Sequence, residues 1–252
     1  TPKSENQDTI KTNVRAIIFF RVKYFLMPVS TPRRSRDSVP KGVRTRENIL
    51  QVAVNLASME SLEGLSIGRL ADELKMSKSG LFAHFGSREE LQLATVEMAR
   101  QIFVERVIRP ALAAPEGAPR LWALCDAWVR YVERPVFPGG CFFAAASFEF
   151  DSRPGMVRDR IAAAVKQWLA TLTRAVEEAI KAGHLKANID PNRFAFEIKS
   201  IGVGAHSDYQ LTDDRKAMGK ARSIVRDRIH AVATPSCPRL STQPKKRSSR
   251  PS

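Results

Sequence analysis

The feature that most constrains the fold is a run of short predicted helices between Arg44 and Leu91. Apolar residues recur at helical spacing over 44–60, and Ser66 is placed to cap a short second helix. A tight turn precedes the stretch MSKSGLFAHFGSREEL, residues 76–91, in which Ser87 and Glu90 have the spacing of a capping box. Two short helices joined by so tight a turn predict a helix-turn-helix.

The remainder of the chain also reads as helical. Helices are predicted from Pro119 to Arg134, from Cys141 to Asp151, from Pro154 to about Ala182, from Pro191 onwards and over 213–232. No strand-like alternation, repeat or Gly-rich phosphate loop is present in the sequence. We therefore predict an all-α chain of about nine helices. An N-terminal helix-turn-helix domain, 44–92, precedes a larger C-terminal helical domain, 93–232.

The two ends of the chain carry most of its net charge of +15. Residues 1–48 hold eleven Lys or Arg against four Asp or Glu, and residues 233–252 hold five against none. We predict a flexible basic arm over 1–43 and a disordered basic tail over 233–252. Charge alone leaves two interpretations open, a polyanionic partner or tails that only keep the protein soluble.

The first residues carry a separate hypothesis. The apolar segment Ala16–Met27 is interrupted by Arg21 and Lys23 and is too short for a membrane span, so no membrane association is expected. We expect Met27 to be the true start, with 1–26 not native, which peptides from 1–26 in the native protein would refute. Three widely spaced cysteines imply no disulfide framework and favour the cytoplasm.

The composition of 76–91 suits contact with a DNA duplex. The second helix of a helix-turn-helix enters the major groove with its N-terminal residues at base edges, which is where Lys78 and Ser79 lie. Gly80 is either a point of close backbone approach or a simple turn residue. His84 is expected to reach phosphate oxygens or to cap its helix, and Arg88 is expected to reach phosphate.

Residues 44–91 closely resemble the DNA-binding domain of the tetracycline-repressor (TetR) family of transcriptional regulators. The stretch GLSIGRLADELKMSKSGLFAHFGSREEL, residues 64–91, carries the resemblance. The chain keeps the family's Leu81, His84, Phe85 and Ser87, and conservatively Arg88. It departs at Ser66, where Thr is commoner, and at Phe82, where the family's Tyr commonly bonds a phosphate. FPGGCFFAAASFEFDSRPG, residues 137–155, also resembles a subgroup of these regulators.

The resemblance implies which residues meet DNA. Phe82 lacks the tyrosine hydroxyl and packs either on sugar or on the core. Basic residues near the first helix contact the DNA backbone or minor groove, unless they are only tail charges. The predicted DNA-binding residues are Lys41, Arg44, Arg46, Ser66, Ser77, Lys78, Ser79, Gly80, Phe82, His84 and Arg88.

Aromatic residues concentrate in 122–150. They form either an ordinary core or an apolar effector pocket, and the resemblance favours the pocket. The predicted ligand-binding residues are Trp122, Trp128, Cys141, Phe142, Phe148 and Trp168. Cys141 at a helix start is either a small core residue or an oxidant-sensitive thiol.

The resemblance also implies a homodimer held by the last two helices. The segment IGVGA, 201–205, is poor in bulk and allows helices to approach closely. The predicted interface residues are Phe194, Ile198, Ile201, Gly202 and Ala205, with a buried face inside one chain as the alternative.

Nothing in the sequence supports catalysis, a cofactor or a metal site, since His184, His206 and His230 have no partner at metal-ligand spacing. The expected function is a cytoplasmic, homodimeric, effector-responsive repressor that binds a palindromic operator in double-stranded DNA. An apolar or aromatic small molecule is the expected effector. Two rivals remain: a small-molecule-binding or enzymatic helical domain with a vestigial helix-turn-helix, and nonspecific nucleic-acid packaging by the basic ends.

Overall fold

The structure is a computed structural model that describes residues 41–240. Its α-helices are α1 Lys41–Glu60, α2 Ile67–Leu74, α3 Lys78–Phe85, α4 Arg88–Phe103, α5 Arg109–Ala111, α6 Ala118–Glu133, α7 Phe142–Phe150, α8 Met156–Lys181, α9 Pro191–Leu211 and α10 Ala217–Ala231. A π-helical turn, Val104–Ile108, joins α4 to α5 without a break. If α4, the π-helical turn and α5 are counted as one continuous rod, called the α4 rod below, residues 41–240 contain nine helices and no strand. This confirms the all-α prediction.

Serine side chains start the three helices that follow α1. The hydroxyls of Ser66, Ser77 and Ser87 each accept a hydrogen bond of 3.1 Å from the backbone N–H three residues on. These bonds satisfy N–H groups that have no partner inside the helix. The capping box predicted at Ser87 forms only half, because the Ser87 N–H donates to the carbonyl of Phe85 at 2.6 Å.

Several helix ends differ from the predictions by one to four residues. The first helix begins at Lys41 rather than Arg44, within the predicted arm, and the last begins at Ala217 rather than at 213. The rod that starts at Arg88 was expected to end near Ile108 and continues to Ala111. No helix in the described part of the chain is long and apolar enough to cross a membrane.

Residues 233–240 differ from the predicted disordered tail. Ala233 forms a β-bridge with Leu185, and the Thr234 N–H donates to the His184 carbonyl at 3.0 Å. Ser236 donates to the Gly183 carbonyl at 2.7 Å, so the segment follows the turn after α8. These backbone bonds come from residues distant in sequence, which local composition does not reveal. The remaining tail, 241–252, and the arm 1–40 with its Met27 start lie outside the described residues.

Two groups of helices share a continuous core within the unit that begins at Arg46. Helices α1 to α4 enclose the fully buried Leu70, Leu81 and Leu91. The larger group, α6 to α10, packs on the α4 rod. Arg222 of α10 bonds Asp126 at 2.9 Å and Glu133 at 2.6 Å, and both acids belong to α6. Helix α10 is therefore fixed to α6 by charge as well as by apolar packing.

Candidate functional site

Helix α3 presents one face to solvent and one to the core. Leu81 and Phe85 are buried against the neighbouring helices, whereas Lys78, Ser79 and Phe82 are exposed. Phe82 keeps 54% of its surface accessible, although it is a large apolar side chain. The alternative in which Phe82 packs in the core is therefore excluded in this structure. The exposed face combines a cation, a hydroxyl and an aromatic ring at the start of a short helix.

The backbone at Gly80 lies open on this exposed face. A Cβ added there would have only Ser77 Oγ within 4 Å, at 3.0 Å, and that hydroxyl accepts the Gly80 N–H. No other part of the described chain covers the position. The glycine thus leaves room for a large partner to approach the backbone, as its predicted role requires.

The side chain of Lys78 runs along the first turn of α2. Its Nζ lies 3.8 Å from where a Cβ of Gly68 would be. Lys78 has no acidic partner among residues 41–240, so its charge is available near the N-termini of two helices. Both the ammonium and the helix dipoles there favour an anion such as a phosphate.

Arg88 is exposed, as a phosphate contact requires, but its side chain also has partners inside the chain. Its guanidinium donates to the carbonyls of Leu65, at 3.3 Å, and of Glu63, and it pairs with the Glu63 carboxylate at 3.0 Å. These contacts hold the start of α4 to the turn between α1 and α2. The sequence did not reveal them because the partner carbonyls lie more than twenty residues upstream.

Other predicted DNA-binding residues have mixed surroundings. Arg44 and Arg46 are exposed on α1, which Lys41 begins, and the Arg46 guanidinium lies 5.0 Å from the centre of the Phe85 ring. Ser66 is half-buried and its hydroxyl accepts the Arg69 N–H. His84 is half-buried in the last turn of α3, where the cap bond joins the Gly86 N–H to the Phe82 carbonyl at 2.8 Å.

A cavity of about 280 Å³ lies in the larger helical group, enclosed by the α4 rod and helices α6 to α9. Four predicted ligand-binding residues line it, namely Trp128, Cys141, Phe148 and Trp168. Trp122 and Phe142 do not. Both are almost completely buried in the core, and the structure does not place them among the residues that line this cavity. A concentration of aromatic residues in the sequence predicts an apolar interior, but it does not identify which of the rings line a cavity.

Further lining residues were not predicted. The apolar ones include Phe103 at the end of α4, Val104 and Ile108 in the π-helical turn, and Phe143, Val165 and Val203. Polar groups at the cavity are Arg100, Ser147, Asp151, Gln167 and Lys199. The wider π turn carries two of the lining side chains, a location common for functional sites. No sequence signal marked it, since its residues fit an ordinary helix pattern.

The cavity walls carry few polar atoms that lack a partner. The indole nitrogen of Trp168 is buried and has no hydrogen-bond acceptor in the described part of the chain. A buried N–H without an acceptor is costly, so an acceptor supplied by a bound molecule would relieve it.

Cys141 is a core thiol rather than a reactive one. Burial raises its pKa, which disfavours the thiolate that oxidation needs. Its backbone N–H donates to Nε2 of His206 at 2.9 Å. Burial lowers the pKa of His206 to about 4, so the imidazole is neutral and can accept this bond.

Three of the five predicted dimer residues on α9 face the interior of the chain. Phe194, Ile198 and Gly202 are buried within the chain, and Ile201 and Ala205 are half-buried. Gly202 admits the ring of Trp128, which explains the glycine at this position of IGVGA. The alternative of a buried intrachain face therefore holds for Phe194, Ile198 and Gly202. The exposed face of α9 instead carries Phe196, Gly204 and Leu211.

The described residues contain no group of three or more His, Cys, Asp or Glu side chains that could hold a metal ion. The chemical groups gathered here are those of binding sites, an open cationic helix face and an enclosed apolar cavity.

Comparison with known proteins adds two family matches. The family described as bacterial regulatory proteins, tetR family, matches residues 49–95. The tetracyclin repressor-like C-terminal domain matches residues 117–225. The HTH-type transcriptional repressor NicS of Pseudomonas putida is 34% identical over 96 residues. That alignment covers 37% of this chain and 45% of the repressor, less than half of that relative's length.

Solved structures share the architecture over most of the chain. A TetR transcriptional regulator from Chloroflexus aurantiacus has a TM-score of 0.71 at 26% identity, covering 77% of this chain and 98% of its own. AibR, solved with isovaleryl coenzyme A and operator DNA, has a TM-score of 0.56 at 25% identity, covering 70% and 96%. A TetR-family regulator from Cytophaga hutchinsonii, at 18% identity and a TM-score of 0.69, covers 78% and 98% and shows the same fold.

Proposed function

The chain belongs to the TetR family of transcriptional regulators, and from this premise we propose that it is a dimeric repressor released from its operator by a small apolar molecule. The observation that carries the proposal is the exposed face of α3, where Lys78, Ser79, open backbone at Gly80 and the Phe82 ring stand over a well-packed helix-turn-helix. The family match does not favour a vestigial helix-turn-helix on an enzyme.

Each subunit places α3 in the major groove of one operator half-site. Ser77, Lys78 and Ser79 reach base edges and phosphates, and Arg44 and Arg46 of α1 meet the DNA backbone or minor groove. Lys41 contacts the DNA backbone or minor groove, Ser66 belongs to the DNA interface, and His84 reaches phosphate from the last turn of α3. The two half-sites lie about one helical turn, ~34 Å, apart or a multiple of it. As a regulator of transcription the protein acts in the cytoplasm.

The dimer forms through the outer faces of α9 and α10. Phe196, Gly204 and Leu211 share one exposed face of α9, and Leu211 keeps 84% of its surface accessible. On α10, Ile224 is a further exposed apolar side chain. These residues replace the inward-facing set predicted from the sequence. Apolar side chains on two adjacent outer helices are typical of a surface that a second copy covers.

The effector occupies the cavity between the α4 rod and α7. The aromatic and aliphatic walls favour an apolar or aromatic body, and the buried indole N–H of Trp168 favours a hydrogen-bond acceptor on it. The solved complex of AibR with both an acyl coenzyme A and operator DNA supports this pairing of ligand and DNA in the family. The effector acts by binding one arrangement of the two α3 helices more tightly than the other.

Selection from random DNA sequences followed by gel shift tests the proposal. We expect a palindromic consensus bound by a dimer. Removal of 1–40 and 241–252 should weaken this binding through lost charge and leave the consensus unchanged. Binding without any consensus, lost completely on that removal, would instead identify nonspecific packaging. The absence of any DNA binding would favour the small-molecule-binding rival.

A further inference from the structure

Glu149 of α7 is hydrogen-bonded to the helix-turn-helix domain. Its carboxylate accepts the backbone N–H of Leu62 at 3.0 Å and the N–H of Glu63 at 2.5 Å. Both donors belong to the turn between α1 and α2. A carboxylate that accepts two backbone N–H bonds is a strong, directional attachment. It fixes the position of the turn's backbone relative to α7.

Helix α7 contacts two regions of the molecule. Phe143, Ser147 and Phe148 line the cavity, whereas Glu149 and the buried Phe150 follow on another side of the same helix. The helix is only two to three turns long, Phe142–Phe150, so it moves as one piece. A molecule that displaces the cavity side of α7 therefore also displaces the Glu149 carboxylate.

The chain on either side of α7 touches the same region. Before it, the Gly139 N–H donates to Ser58 Oγ at 3.2 Å, and a Cβ at Gly139 would lie 1.7 Å from the Ser58 carbonyl oxygen. After it, Arg153 lies 3.6 Å from the Glu63 carboxylate. These contacts keep α7 against the last turn of α1 and the turn that follows.

Leu62 is held from two directions. Its N–H is bound by Glu149 of α7, and its carbonyl accepts a buried bond of 2.9 Å from Gln92 of α4. Both helices also belong to the cavity wall, through Ser147 on α7 and Phe103 at the end of α4. The backbone of Leu62 is thus the point where two walls of the cavity meet the helix-turn-helix domain.

We propose that Glu149 is the positioning residue that transmits occupancy of the cavity to the helix-turn-helix domain. When the cavity fills, α7 moves outward and the carboxylate draws the turn at Leu62 and Glu63 with it. The first three helices then rotate against the α4 rod, and α3 changes its presentation to DNA. This inference rests on the proposed function, because it needs a cavity that responds to a ligand and an α3 that binds DNA.

A side chain that fills the cavity serves as the probe in place of a ligand. Ala164 of α8 lines the cavity, and Ala164→Phe adds a ring to it. Operator affinity is measured for four proteins: the wild type, Ala164→Phe, Glu149→Ala and the double variant. We expect Ala164→Phe to weaken operator binding on the order of tenfold when Glu149 is present, and less than about twofold when it is absent.

Two further variants make the result specific. The quantity compared is the ratio of operator affinities without and with Ala164→Phe. Glu149→Gln keeps an acceptor oxygen without the charge, so its ratio should lie between those of the wild type and Glu149→Ala. Glu177→Ala removes an exposed carboxylate of α8 and should leave the ratio at its wild-type value. Amide exchange gives a second readout, in which Glu149→Ala speeds exchange at Leu62 and Glu63 but not at Glu90, whose N–H is bound by Ser87. Thermal unfolding shows whether each variant is folded. If a protein that carries Ala164→Phe does not fold, Ala164→Met is used in its place.

The outcomes distinguish failure of the proposed function from failure of the role assigned to Glu149. If the wild type binds no specific operator, the proposed function fails. If it binds one and Ala164→Phe weakens binding equally with and without Glu149, the function stands and the role of Glu149 is overturned. That role is also overturned if filling the cavity leaves operator binding unchanged in the wild type.

Discussion

Gly202 and Trp128 are in direct contact across α9 and α6, and the contact leaves no room for a Cβ. An ideal Cβ at Gly202 would lie 2.0 Å from Cζ3 and 2.4 Å from Cη2 of the Trp128 ring. The ring is buried, and Trp128 is one of the residues that line the cavity. The small residue on α9 therefore decides how far the indole extends into the space proposed for the effector.

Gly202→Ala is expected to destabilise the protein. The added methyl overlaps the Trp128 ring, which must shift to make room, and overpacking of this kind costs about 1–3 kcal/mol. Thermal or urea unfolding measures the loss. Gly219→Ala is the matched control, since Gly219 lies in α10 with nothing within 4 Å of its Cβ position. There we expect no loss, or a gain of up to about 1 kcal/mol from helix propensity. Equal stability of the two variants would contradict the contact.

The prediction of dimer residues on α9 shows what helical periodicity can establish and what it cannot. Phe194, Ile198 and Gly202 were correctly grouped on one side of α9, because spacing in sequence fixes which side chains share a helix face. Spacing does not identify what that face packs against. A buried face inside one chain and a face buried by a second copy need the same residue types. Only the position of Trp128, more than seventy residues away, distinguishes them.

The helix-turn-helix was predictable because its signals are local. The cap serines, Ser66 and Ser87, act within three residues of themselves, and all three helices of 44–91 were found. The lining of the cavity was harder to predict. Trp122 and Trp128 lie on the same helix and are both buried, but only Trp128 lines the cavity. Glu149 gave no signal, because an acid in an amphipathic helix usually faces solvent.

Lys78→Ala and Arg88→Ala should separate DNA contact from structural support. Lys78 has an ammonium on the α3 face with no acidic partner among residues 41–240, so its loss should weaken operator binding. A phosphate contact would lower the salt-dependence slope by roughly one unit. A base contact would instead relax preference at one base pair by about 1–3 kcal/mol.

Arg88 is the matched cation with internal partners, Glu63 and Leu65. Arg88→Ala should lower the stability of the helix-turn-helix by about 1 kcal/mol and leave the salt slope unchanged. Gel shifts over a series of salt concentrations, together with urea unfolding, measure both quantities. A slope that falls with Arg88→Ala and not with Lys78→Ala would reverse the two assignments.

Phe82→Tyr should tighten operator binding. The ring is exposed on α3, so a hydroxyl can be added without disturbing the core. The resemblance to the family implies a phosphate within its reach, and one such bond is worth about 1 kcal/mol, or roughly fivefold in affinity. Phe82→Ala, which removes the ring, should weaken binding instead. Unchanged affinity in both variants would place position 82 outside the DNA interface.

Stability is expected to fall in mild acid because of His206. Burial lowers the pKa of this imidazole from 6.5 to about 4, so between these values the unfolded chain binds a proton that the folded chain does not. The contribution is therefore complete above pH 6.5 and is lost as pH falls towards 4. It amounts to at most about 3 kcal/mol.

The structural consequence of that protonation is specific. A proton on Nε2 of His206 removes the acceptor for the Cys141 N–H, which lies at the start of α7. Unfolding in urea at several pH values between 4 and 7 measures the effect. His206→Gln is the control, because an amide oxygen can accept the bond and does not titrate. Its stability should vary less between pH 6.5 and 4 than that of the wild type, and identical pH dependence in the two proteins would show that His206 is not the group responsible.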